Sequence, residues 1–103
     1  MLPKNLFKNG FDSGDGSIDV DSLDHIRKFI SDNFKKTKNI NIKIGSYKLK
    51  HIAENSIKEM NGFVSNGDFI ASMILEGYEY KIDRNNKVNA NFNLSQDSVK
   101  SFF

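Results

Sequence analysis

Hydrophobic positions along the chain recur with two periods, and each switch between them marks an element boundary. Leu23, Ile26, Phe29, Ile30 and Phe34 share one face of a 3.6-residue repeat. They predict a helix over Ser22–Lys35, with Asp21 and Asp24 forming a capped start. Lys35-Lys36-Thr37-Lys38-Asn39 breaks the period and reads as a basic loop. Ile40, Ile42 and Ile44 then alternate with Asn39, Asn41 and Lys43, the pattern of a short strand with a β-branched buried face. Gly45 ends that strand and Ser46 stands where a helix cap is needed. Tyr47, Leu49, Ile52, Ala53, Ile57 and Met60 mark the inner side of the next helix, with Lys48, Lys50 and Glu54 outside and Asn61-Gly62 closing it.

The stretch Phe63–Leu94 organises the rest. Ser65 followed by Asp68 is an N-terminal cap placed before the apolar residues Phe69, Ile70, Met73 and Ile74. Gly77 stands where a left-handed C-terminal residue is required, so the helix is predicted over Gly67–Glu76. Tyr78, Tyr80 and Ile82, then Val88, Ala90, Phe92 and Leu94, alternate with polar residues around the turn-forming Asp83–Asn86, which predicts a hairpin. Its polar row includes Asn89, Asn91 and Asn93, read here as the asparagine-rich composition of the chain more than as a contact surface. Ser95 caps a last short helix carrying Val99, Phe102 and Phe103.

Residues 1–20 read as an acidic, poorly structured segment, with at most a turn of helix from Pro3 to Lys8. Residues 21–103 read as a single compact α+β domain. It has three main helices, a small antiparallel sheet made of one short strand plus the C-terminal hairpin, and a short last helix.

Composition narrows the chemistry. A chain of 103 residues supports one modest core, and without cysteine it has neither disulfides nor thiolate metal sites. No run of eighteen apolar residues occurs and the N-terminus lacks a signal-like apolar stretch, so the expectation is a soluble, cytoplasmic protein. The net charge of +2 is small, but its distribution is uneven: nine basic residues against Asp32 and Glu54 between Arg27 and Lys58, after an acidic run over residues 10–24. That asymmetry suggests a basic face for an anionic partner. The acidic segment FDSGDGSIDVDS fits part of a calcium loop, with Asp15, Gly16 and Ile18 in place. Phe11 and Ser22 fall on the first and twelfth ligand positions, so it reads as a flexible acidic loop.

No catalytic constellation is visible. His25 and His51 lack metal-ligand spacing, no serine elbow or triad order occurs, and Gly10, Gly14 and Gly16 match no phosphate or dinucleotide loop. The expectation is a non-catalytic module with no cofactor. Tyr47, Phe63, Phe69, Tyr78, Tyr80 and Phe92 could stack on bases, but their spacing fits core positions; Tyr47 and Tyr80 are the best placed for partial exposure.

The order helix, strand, helix, helix, hairpin over Asp21–Leu94 resembles a winged helix-turn-helix domain. The resemblance implies that the helix Gly67–Glu76 reads the major groove of duplex DNA and that the hairpin Tyr78–Leu94 is the wing. That helix carries Asp68, Ser72 and Glu76 outside its apolar face and neither Lys nor Arg. Phosphate contact is therefore expected from Lys35, Lys36, Lys38, Lys48 and Lys50, with Lys81, Arg84 and Lys87 on the wing. Ser65-Asn66-Gly67, Gly77-Tyr78 and Phe92-Asn93 also resemble a pattern in small phage and mobile-element proteins. The primary expectation is weakly sequence-specific DNA binding. The alternative is a protein-binding inhibitor, adaptor or homodimerisation module using Met73, Ile74 and Leu75 of the apolar helix.

Overall fold

A computed structural model describes residues 2–103. In chain order the elements are β1 (Leu6–Phe7), β2 (Gly10–Phe11), α1 (Asp24–Asn33), α2 (Ser46–Ser56), α3 (Asn66–Leu75), β3 (Tyr80–Ile82), β4 (Ala90–Phe92) and α4 (Gln96–Val99). The fold is α+β, with four helices and two small antiparallel hairpins among the described residues.

Everything packs around α3. Its sequence NGDFIASMIL is apolar on nearly every side, and a helix of that kind is stable only when surrounded. Eight of its ten residues, Asn66 to Met73, are buried between α1, α2 and the β1–β2 hairpin. Phe69, Ile70 and Met73 are fully enclosed, each contributing about 1.5–3 kcal/mol by leaving water. The expected cap is present: Ser65 Oγ accepts from Asp68 N–H at 3.2 Å. The expected stop is also present. Gly77 has φ of 89°, its N–H donates to Ile74 O, and Tyr78 N–H donates to Met73 O, the paired bonds of a left-handed C-terminal closure.

Leu6–Phe11 is part of this packing, contrary to the expectation that residues up to 20 are poorly structured, whereas residues 12–20 run mostly exposed outside any strand or α-helix. β1 and β2 pair antiparallel, Leu6 opposite Phe11, and both side chains are buried in the core. Gly67 N–H donates to Lys8 O at 2.9 Å, and Phe11 N–H donates to Val88 O at 3.0 Å. Gly67 makes the approach possible, because a Cβ there would lie 1.8 Å from Phe7 O. The expected helical turn at Pro3–Lys8 is replaced by this hairpin.

The predicted strand over Asn39–Ile44 does not form, so the sheet is β3–β4 alone and not three-stranded. The segment crosses beside β4 with isolated bridges at Lys36–Leu94 and Gly45–Asn91. Only some of its backbone bonds to β4 are ladder-like, among them Asn41 N–H to Phe92 O and Thr37 N–H to Asn93 O. Side-chain amides from β4 replace the remainder, as described below. Two caps also move: Asp19 caps the turn before α1, leaving α1 itself without a side-chain cap, and Gly45 rather than Ser46 precedes α2.

Candidate functional site

The asparagine row of the hairpin is internal. Asn89, Asn91 and Asn93 are buried, on the face of β4 opposite Ala90 and Phe92. Asn91 Nδ2 donates to Asn41 O and Ile44 O, each at 3.2 Å. Asn93 Nδ2 donates to Thr37 O, and its Oδ1 accepts from Glu79 N–H. An amide both donates and accepts, so it can bind a loop whose backbone does not run in register with the strand. That is why an alternating isoleucine pattern ends as a clamped loop with Ile42 exposed.

A second polar hub joins four segments. Asn66 Nδ2 donates to Asn89 Oδ1 at 2.8 Å and faces Asn9 O and Val88 O at 3.2 and 3.3 Å. Ser46 Oγ donates to Asn66 Oδ1 at 2.8 Å and accepts from Ala90 N–H at 3.1 Å. Both Ser46 and Asn66 are buried, so their satisfied bonds fix the mutual positions of α2, α3 and both hairpins.

The eight expected cations separate into two kinds. Lys35, Lys36, Lys38, Lys48, Lys81, Arg84 and Lys87 are exposed, and none of the seven forms an ion pair among the described residues. Lys81 and Arg84 face one groove of about 460 Å³ together with Asp83, Ile42 and Asn91. Lys36 lies over the Tyr78 ring at 4.9 Å and Lys48 over the Phe103 ring at 4.4 Å, both leaving their charge accessible. The structure does not gather all seven into one groove.

Lys50 is the exception: only 8 % exposed, it is not an outer phosphate contact. The buried face of α2 holds Leu49, Ile52 and Ala53 as expected but extends to Lys50 and leaves Tyr47 exposed. Lys50 Nζ pairs with Glu54 Oε1 at 3.3 Å and lies 4.9 Å from the Tyr47 ring centroid and 5.8 Å from that of Phe63. Glu54 also accepts from Val64 N–H and meets His51 Nδ1. Burial raises the Glu54 carboxyl, but the Val64 N–H, His51 and Lys50 together hold it below its ordinary value. Phe63, expected in the core, is exposed, as is Tyr47; Tyr80 is partly exposed and stacks on Phe11. Tyr47, Phe63, Lys50, Asn66 and Asn89 border one cavity of about 360 Å³.

Two further expectations change. Met73 is fully buried and Ile74 and Leu75 are half-buried against the core, so α3 presents no apolar interface; nor can it enter a DNA groove. Arg27 Nε reaches Glu76 Oε2 at 2.7 Å and Lys8 Nζ reaches Asp68 Oδ2 at 3.0 Å, so the acids of α3 and its end are neutralised within the fold. Tyr78 has its phenol pushed up to about 12 by burial and then by the Glu76 charge. In the acidic loop, Asp15 accepts from Asn9 and Ser13; the Ser13 hydroxyl chiefly lowers its carboxyl, burial opposes this, and the Asn9 bonds lower it further. Among the described residues no cluster of three His, Cys, Asp or Glu side chains is placed to hold a metal ion, and no helix is long and apolar enough to cross a membrane. Comparison with protein-family models, curated proteins and solved structures gave no match.

Proposed function

We propose that this chain is a non-catalytic nucleic-acid-binding module that meets the phosphate backbone with basic side chains of its loops and hairpin, without inserting a helix into a groove. The observation carrying this reading is the exposure of the seven expected cations Lys35, Lys36, Lys38, Lys48, Lys81, Arg84 and Lys87. None of them forms an ion pair among the described residues, whereas Lys8, Arg27 and Lys50 are taken up by Asp68, Glu76 and Glu54. Exposed cations of that kind gain by releasing the counterions of a phosphate chain. The hairpin Tyr80–Phe92 takes the place of the wing in the winged-helix comparison, while α3 serves as core. Such weakly sequence-specific binding suits the phage or mobile-element setting that the sequence resembles.

The test is fluorescence anisotropy with labelled DNA and a K81E/R84E double variant. Affinity should fall roughly tenfold or more at low salt. Reversing Lys28, which pairs with Asp32 at 2.9 Å, should have little effect. Undiminished binding by the double variant would refute the reading.

A second reading, a protein-binding inhibitor, adaptor or self-association module, moves from α3 to Ile42. That side chain is 78 % exposed beside Lys81 and Arg84, and β3 pairs on one side only. Sedimentation that shows a dimer in the native chain and a monomer in Ile42→Asp would favour self-association over nucleic acid.

A further inference from the structure

From the cavity between α2 and the start of α3 we infer a site for a single unpaired nucleotide of a nucleic-acid strand. The inference rests on the nucleic-acid reading above and goes beyond phosphate contact. Two large aromatic rings, Tyr47 at 54 % and Phe63 at 62 % exposure, stand on its rim. Rings of this size usually find cover, and here both flank one ammonium group, Lys50 Nζ, within cation–π reach. Glu54 holds that ammonium in place and is itself held by the Val64 N–H. The polar edge is equally fixed: Asn66 and Asn89 are locked by their mutual bond at 2.8 Å.

These parts specify one kind of ligand. Exposed rings with a rigid aliphatic and cationic floor accept a flat π-system by stacking. The Asn89 amide, whose oxygen alone is taken by Asn66, offers its Nδ2 to the hydrogen-bonding edge. Lys87, between the cavity-lining Asn86 and Val88, is an exposed cation for the attached phosphate. A cavity of about 360 Å³ is at the lower end of small-ligand sites, suited to one nucleotide. Bases inside a duplex keep their faces stacked and their edges paired, so only an unpaired base can enter. Selectivity for single strands follows.

The experiment compares a fluorescein-labelled oligothymidylate with the duplex it forms with oligoadenylate, using the full chain and the variants Tyr47→Ala, Phe63→Ala and Tyr47→Phe. The substituted rings are exposed, so the fold should persist, as circular dichroism would verify. The single strand should bind about tenfold more tightly than the duplex, and each alanine variant should lose about tenfold on the single strand while its duplex affinity is unchanged. Tyr47→Phe should retain binding because it keeps the ring. Alanine variants that bind the single strand like the native chain, or that lose both substrates equally, would overturn the nucleotide site while leaving phosphate binding intact. A native chain that binds neither substrate would overturn both readings together.

Discussion

Asn91 shows how much one side chain determines. A single amide caps the carbonyls of Asn41 and Ile44, holding the 37–45 loop against β4 where a third strand would otherwise lie. Asn91→Ala leaves both carbonyls without that donor in a buried position, which should cost about 1–3 kcal/mol in urea denaturation. A change within about 0.5 kcal/mol, the range of ordinary surface substitutions, would show that the loop is held by other means. Glu54 sets the acid behaviour. Its folded carboxyl lies below the ordinary 4.5, so the unfolded chain takes up the proton first as pH falls. Its stabilisation is therefore present above about pH 4.5 and is lost as pH falls through the lower folded value. Glu54→Gln should flatten that part of the stability–pH curve; an unchanged acid slope would contradict the assignment.

At the scale of elements, the closest junction is between β1–β2 and the first turn of α3. Gly67→Ala would drive a methyl against Phe7 O and Lys8 O, at 1.8 and 2.6 Å before any adjustment. Because both obstacles are backbone, the hairpin must shift, at a cost of about 1–3 kcal/mol. Hydrogen exchange should show lost protection at the amides of Gly67 and Phe11, which now donate to Lys8 O and Val88 O. Retained protection would mean the hairpin docks independently of that contact. These elements also show what the sequence discloses. The cores of α1, α2 and α3, the Ser65 cap, the Gly77 stop and the C-terminal hairpin all followed from period and punctuation, because their apolar residues repeat over several turns or pairs. β1 and β2 did not, since two-residue strands have no measurable period and are specified by long-range docking on α3. Asn39–Ile44 alternates like a strand, yet the partner edge offers asparagine side chains that favour a clamped loop. Lys50 reads as an outer residue by charge; Glu54 and Tyr47 lie one turn from it on α2, but its burial also depends on Phe63 meeting it from outside the helix, a contact invisible to a helical wheel. The exposed cations of the 35–38 loop were legible because a run of lysines with no acid among them breaks the apolar period.

For the whole molecule the internal pairs cancel one for one, Glu54, Asp68 and Glu76 against Lys50, Lys8 and Arg27. The outward charge therefore keeps the net value of +2, and its placement on the surface is what favours an anionic strand. Exposed cations stand on the loops and the hairpin, two exposed rings stand beside the cavity at the start of α3, and α3 itself is enclosed. A molecule 33 × 31 × 22 Å in extent can engage only a few nucleotides at once, so its binding should be modest in affinity and governed by ionic strength. The most direct measurement is the affinity of the full chain for oligothymidylate across a salt series. Each neutralised phosphate on a single strand contributes about −0.7 to the slope of log K against log salt, so several contacts should give a slope of roughly −2 to −5. A slope near zero, or no binding at the lowest salt, would contradict the account.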